Sequence, residues 1–125
     1  MNGDVTRYES DTLDATAGYG VRKRNFQLVF FDGKFPTRAD ADGMDLEEQT
    51  ADALEHVETA VRRAGVKMDD VLRTTVYTTE ADRTDDIEAA YETYFADRRP
   101  AMTVVGVADL PDGAAVQIEA TAVER

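Results

Sequence analysis

The sequence predicts an α+β fold in which two helices cover one face of a single mixed β-sheet. Two segments carry the 3.6-residue apolar periodicity of amphipathic helices, and four others are rich in the apolar and β-branched residues of strands. Their order is strand, helix, strand, helix, strand, strand, which is typical of α+β sandwiches. Because 125 residues lie within the usual size of one domain, we predict a single domain over residues 1–125.

The strand predictions rest on composition and alternation. In the last strand Val116 and Ile118 share one face, whereas Gln117 and Glu119 share the other. Two weaker patterns near the start predict short edge strands. The four main strands are predicted at residues 26–31, 72–79, 103–107 and 116–123, and the edge strands at residues 7–8 and 20–22.

Both helices have recognisable ends. The first is predicted to begin at Asp45, because Glu48 follows three residues later as in a capping box, and to end at Gly65. The second is predicted to start at residues 84–86 and to end before Pro100, which cannot continue a helix. Each helix is amphipathic, so each needs an apolar partner surface.

The sheet face opposite the helices has no third helix to cover it. Apolar residues at Phe31, Val105 and Val107 are predicted to lie on this open face. We therefore expect another subunit to bury it.

Composition limits the function classes. With 26 acidic and 14 basic residues the chain has a formal charge of −12, dispersed along its length. This charge favours a salt-rich cytoplasm and argues against nucleic acid as a partner. The sequence has no cysteine and no apolar run typical of a signal peptide or a membrane span. The one histidine, His56, lies among charged residues and is interpreted as solvated, so we expect no metal and no cofactor.

Several short motifs occur together between Tyr19 and the C-terminus. They are Asp32-Gly33-Lys34-Phe35-Pro36, Gln49-Thr50, Arg73-Thr74-Thr75-Val76-Tyr77, Tyr91-Glu92-Thr93-Tyr94-Phe95, Leu110-Pro111 and Gln117-Ile118-Glu119-Ala120. In this order they resemble the RidA/YjgF family, also called the L-PSP endoribonuclease or reactive-intermediate deaminase family. The resemblance implies a chorismate-mutase-like fold, a homotrimer and small-molecule clefts between subunits.

The resemblance also implies where a substrate would bind. Deaminating members of this family hold the carboxylate of a 2-imino acid with an arginine, and Met102 stands at that position. A thioether has neither a charge nor a donor, so it cannot form this contact. Gln117 stands where the family has a glutamate, and it cannot act as a base near neutral pH. The substrate-binding positions carried over are Tyr19, Asp32, Gly33, Glu88, Met102 and Gln117.

These differences predict an acidic pocket, because a guanidinium is lost while Asp32 and Glu88 are gained. We therefore expect a cationic or neutral small molecule rather than an anionic imino acid. The alternative is that Arg22, Arg73 or Arg99 of a neighbouring subunit supplies a guanidinium that binds the substrate carboxylate in place of the missing arginine.

Structural roles compete with these assignments. Tyr19 is interpreted equally well as a packed loop aromatic, and Asp32 equally well as a turn residue. For Met102 core filling is the favoured interpretation, and for Glu88 it is a place at the start of a helix. Three functions stay open: a hydrolase or deaminase of an unidentified metabolite, a non-enzymatic sensor or scaffold, and a ribonuclease or translation inhibitor.

Overall fold

The structure, a computed structural model, describes residues 5–9, 19–23, 27–37 and 44–124. The elements follow one another in the predicted order. Their bounds are β1 Val5–Glu9, β2 Tyr19–Lys23, β3 Gln27–Lys34, α1 Leu46–Arg63, β4 Val71–Thr78, α2 Thr84–Phe95, β5 Ala101–Gly106 and β6 Val116–Glu124.

The four long strands form one mixed sheet in the order β3-β6-β4-β5, which confirms the predicted fold class. β4 and β5 run parallel, and α2 makes the crossover that a parallel pair requires. The other pairs are antiparallel. The strands β3 and β5 therefore lie at opposite edges of the sheet.

Both helices pack on the same face of this sheet, and the core lies between them and the sheet. The predicted alternation of β6 is confirmed, since its helix-side residues are buried and Gln117 and Glu119 lie on the open face. Full burial of an aliphatic side chain contributes about 2 kcal/mol, so this layer carries much of the stability. Its fully buried aliphatic residues are Leu46, Leu54, Val57, Val61, Val71, Val76, Ile87, Val116 and Ile118.

The ends of α1 follow the predicted chemistry. The Asp45 carboxylate accepts from the Glu48 backbone N–H at 2.8 Å, and the Glu48 side chain accepts from the Asp45 N–H at 3.3 Å. Gly65 has a φ of 82°, a left-handed conformation that glycine adopts without a Cβ clash. Both predicted ends of this helix are thus confirmed.

α2 ends in a less usual way. Its C-cap, Ala96, has φ 54° and ψ −118°, a backbone conformation that is unfavourable for a residue with a Cβ. Pro100 follows four residues later, immediately before β5, where it precludes further helix.

Two predictions about the sheet need correction. Phe31 packs against the core on the helix side, and its neighbour Phe30 is the residue on the open face, 72% exposed. Residues 7–8 and 20–22 do lie in strands, but β1 and β2 pair with each other as a separate two-stranded sheet instead of extending the main one. Phe26 lies outside the described residues.

The open face keeps an apolar character. Leu28 is 46% exposed and Val105 37% exposed, so with Phe30 they form a partly solvated surface on the side of the sheet without helices. The prediction of exposed apolar residues on this face is confirmed for Val105.

Candidate functional site

Gly33 and Gln117 are in direct contact on the open face, where β3 pairs with β6. A Cβ on Gly33 would lie 1.8 Å from Gln117 Nε2 and 2.7 Å from Gln117 Cγ. The amide side chain therefore lies flat across the glycine backbone and occupies the space that any other residue would need. Two of the predicted site positions thus form one local structure, which presents an amide to the open face.

Asp32, beside Gly33, extends into solvent. Its side chain is 92% exposed and accepts a hydrogen bond from Lys34 Nζ at 2.9 Å. The hydrogen bond and the charge of Lys34 lower the pKa of Asp32. The carboxylate is therefore ionised at neutral pH, with its charge matched by the lysine two residues on.

Met102 lies on the helix side of β5, half-buried and packed against the core. Its register partner in β4 is Thr74, whose hydroxyl is hydrogen-bonded to the Tyr91 hydroxyl at 2.6 Å. Burial raises the pKa of Tyr91, so this phenol stays protonated. The surroundings of Met102 are thus apolar and hydroxylic.

Glu88 pairs with an arginine from the same chain. Arg99 Nη1 donates to Glu88 Oε2 at 2.7 Å, and the arginine is only 6% exposed. The guanidinium carbon also lies 5.7 Å from the centroid of the Tyr91 ring, within the range of a cation–π contact. The Glu88 carboxylate is therefore paired with a buried cation, Arg99, which lies three positions before Met102 in the sequence.

This pair revises the predicted charge of the pocket. Both carboxylates that were expected to make it acidic, Asp32 and Glu88, are neutralised by a partner. The prediction of an acidic pocket counted these carboxylates without the cations beside them, and it stays a prediction. The predicted alternative had Arg99 reach the pocket from a neighbouring subunit, whereas in this chain Arg99 pairs with Glu88 of the same chain.

A second polar pair on the open face was not predicted. The Tyr77 hydroxyl donates a short hydrogen bond to Glu119 Oε1, and this bond raises the pKa of Tyr77. Tyr77 is the register partner of Gln117, so the pair stands beside the amide described above. The alternation of β4 and β6 predicts which residues face the open side. The register between the two strands, which brings Tyr77 and Glu119 together, cannot be predicted from the sequence of either strand.

The predicted site residues that the structure describes do not all meet within one chain. Gly33 and Met102 lie on opposite edge strands, three strand spacings or about 14 Å apart across the sheet. Gln117 and Met102 also lie on opposite faces. Tyr19 begins β2, and its side chain lies outside the described part of the structure.

Within the described residues, no three His, Cys, Asp or Glu side chains cluster as a metal site would require. The helices of that same portion include none with the length and apolarity to cross a membrane.

Comparison with known proteins agrees with the fold. A family model for endoribonuclease L-PSP matches residues 9–124. The chain is 33% identical over 103 residues to the 2-iminobutanoate/2-iminopropanoate deaminase of Salmonella typhimurium, a match that covers 78% of this chain and 80% of the relative.

Two solved structures from Escherichia coli are similar as well. The YjgF gene product shares 30% identity with a TM-score of 0.71, and TdcF with bound serine shares 29% identity with a TM-score of 0.71. Each match covers 78% of this chain and 81% of the other. The order of the strands, the positions of the two helices and the family match together establish that this chain belongs to the endoribonuclease L-PSP family, the RidA/YjgF proteins.

Proposed function

We propose that this protein hydrolyses small imines or enamines that lack a carboxylate, in clefts formed between subunits. The observation that carries the proposal is Met102, which packs against the core where deaminating relatives are expected to have an arginine. The reaction adds water across the C=N bond and releases ammonia and a carbonyl compound.

The name of the Salmonella relative supports the reaction class, because both of its substrates are imines. Those substrates also carry a carboxylate, which an arginine binds well through two parallel hydrogen bonds. The nearby guanidinium of Arg99 is engaged with Glu88 at 2.7 Å. A carboxylated substrate would have to compete with that ion pair, whereas a neutral imine would not.

The clefts are proposed between subunits because the candidate site residues lie far apart within a single chain. Gly33 and Gln117 contact each other at one edge of the sheet, and Met102 lies at the other. A second copy packed on the open face would cover Phe30 and Val105 and bring its own edge strand near the first. Sedimentation in high salt should then show a species of three chains, and Phe30→Glu should dissociate it because a charge would be buried in the interface.

Gln117 and the Tyr77–Glu119 pair supply the polar groups for the water. An amide can hold a water molecule by donating and accepting hydrogen bonds. The Glu119 carboxylate, hydrogen-bonded to the Tyr77 hydroxyl, is the base nearest to Gln117 along β6. We assign Gln117 the orientation of the attacking water and Glu119 the acceptance of its proton.

The test compares two imines made in place by oxidases. An amino acid oxidase generates a carboxylated imine and an amine oxidase generates a neutral one, and semicarbazide traps whatever imine remains. The protein should accelerate the loss of the neutral imine and leave the carboxylated one near its rate in free solution. Rapid hydrolysis of the carboxylated imine by the unaltered protein would overturn the proposal.

Substitutions sharpen the comparison. Met102→Arg should raise activity on the carboxylated imine, because a guanidinium returns to the family position. Met68→Arg is the matched control, since Met68 is another half-buried methionine packed on the core but away from β5. It should leave the preference between the two imines unchanged.

Binding without turnover is the second candidate, and Gln117 is the residue that favours it. A glutamine cannot take a proton from water, so a site that depended on this position alone would bind a ligand without hydrolysing it. Loss of both imines at the uncatalysed rate, together with a thermal shift from amines or keto acids, would point to a sensor or scaffold.

A further inference from the structure

A cleft lies on the outer side of the molecule, between α1 and the end of β3, away from Met102. Its volume is about 350 Å³, which is within the range of small-ligand sites. The residues that line it are Lys34, His56, Thr59, Ala60 and Arg63.

The sequence builds this cleft from one stripe of a helix. His56, Thr59, Ala60 and Arg63 follow the spacing i, i+3, i+4 and i+7, which places them along one side of α1. Lys34, the last residue of β3, supplies the opposite wall. The cleft is therefore formed by two regular elements rather than by loops.

The turn after β3 is tied to the same helix by two hydrogen bonds. The backbone N–H of Thr37 donates to Asp52 Oδ2 at 2.5 Å, and the Thr37 hydroxyl is hydrogen-bonded to His56 Nε2 at 2.5 Å. These contacts hold β3 against α1 and fix the ring of His56. The distance between the two walls is thus set before any ligand arrives.

The cleft gathers basic residue types in an acidic protein. Three of its five lining residues are basic types, although the whole chain has only 14 lysines and arginines and one histidine against 26 acidic residues. Within the described part of the chain, Arg63 makes no ion pair, whereas its neighbour Arg62 donates to Glu58 at 2.5 Å. Among the described residues, two carboxylates contact the lining: Asp32, on Lys34 at 2.9 Å, and Asp52, at 3.9 Å from His56 Nε2.

We propose that this cleft binds a small metabolite through an oxyanion, a phosphate or a carboxylate group, held between Arg63 and Lys34. Arginine binds such groups through two parallel N–H donors, and lysine acts as a compact point charge. The bound anion would replace Asp32 as the partner of Lys34. This site is independent of the imine-hydrolysis proposal, because it shares no residue with Met102, Gln117 or Glu119.

His56 is the single histidine of the chain, so its ring signals in an NMR spectrum report on this cleft alone. The experiment titrates the full chain at constant pH with inorganic phosphate and, in a second arm, with malonate. Potassium chloride at matched ionic strength is the blank. A saturable shift of the His56 signals is expected with one or both anions, and the stronger arm identifies the oxyanion.

Arg63→Gln should weaken this binding about tenfold, since a hydrogen bond to a charged group is lost. Arg62→Gln is the matched control, because Arg62 is adjacent and exposed but does not line the cleft. It should change the affinity by less than about twofold. A shift that is linear in both anions, equal to the chloride blank, or the same in Arg63→Gln as in the unaltered protein would overturn the proposal.

Discussion

Replacing Gly33 with alanine tests whether the contact with Gln117 defines this part of the open face. A Cβ at Gly33 would overlap Gln117 Nε2 at 1.8 Å, Cδ at 2.6 Å and Cγ at 2.7 Å. Because Cγ is among the three, the whole side chain would have to leave its rotamer, and moving the amide alone would not suffice. The expected result is a loss of stability together with the displacement of Gln117.

The magnitude follows from two opposing effects. Among the described glycines, only Gly65 and Gly113 have a positive φ, so the backbone at Gly33 accepts an alanine. Replacing glycine by alanine at such a position raises the free energy of unfolding by about 0.4–1 kcal/mol, because it reduces the conformational entropy of the unfolded chain. Overpacking costs about 1–3 kcal/mol, so Gly33→Ala alone should lower the free energy of unfolding by about 1–2 kcal/mol.

A double-mutant cycle separates the two effects. In a Gln117→Ala background the overlap is gone, so Gly33→Ala should become neutral or stabilising, with a coupling of about 2 kcal/mol. Urea unfolding followed by circular dichroism measures each free energy. All variants are compared at one protein concentration, because any association of subunits would add to stability.

Gly106→Ala is the control for the cycle. A Cβ there would lie 2.9 Å from Ala81 Cβ, an atom fixed to the backbone, so its cost should not depend on Gln117. If Gly33→Ala costs the same with and without Gln117, the amide does not lie across this glycine, and the reasoning about the open-face site fails.

Three further predictions follow from local geometry. Ala96→Gly should raise the free energy of unfolding by about 1 kcal/mol in a urea titration, because glycine tolerates φ 54° and ψ −118°. Asp45→Ala should lower it by about 1 kcal/mol in the same assay, because the cap to Glu48 N–H is lost. Burial raises the pKa of Tyr91, so stability should fall as the pH rises above about 10, where the unfolded phenol releases its proton and the folded one does not. A tyrosinate absorbance that rises well before circular dichroism reports unfolding, and that is smaller in Tyr91→Phe, would show that the folded phenol releases its proton and would contradict this last expectation.

The parts of the fold that depend on nearby residues could be predicted from the sequence. The capping box at Asp45, the glycine end of α1 and the alternation of β6 are all set within a few residues along the chain. The faces of β3 could not be predicted in this way. Residues 28–31 are all apolar, so they show no alternation, and a shift of one residue exchanges Phe30 with Phe31.

The residues of the candidate site were named from family motifs, whereas their pairings could not be predicted from the sequence. Gly33 and Gln117 were each identified from family motifs, yet their overlap depends on how β3 and β6 are aligned. Glu88 and Arg99 lie eleven positions apart, and a crossover from α2 to β5 brings them together. Such pairs are decided by tertiary packing, for which neither residue type nor spacing gives a signal.

Pairing also bears on the kind of ligand that the proposed site should accept. Counting residues gives one lost arginine and two added carboxylates, which would favour a cationic amine. In the structure Asp32 is matched by Lys34, and Glu88 is matched by the buried Arg99. A cation entering beside Glu88 would have to displace a guanidinium that is already desolvated, which is costly because the arginine charge would remain buried. An anion would have to displace Glu88 from Arg99, which is costly because the glutamate charge would lose its partner. The charge balance around Met102 therefore favours a neutral imine over either ion.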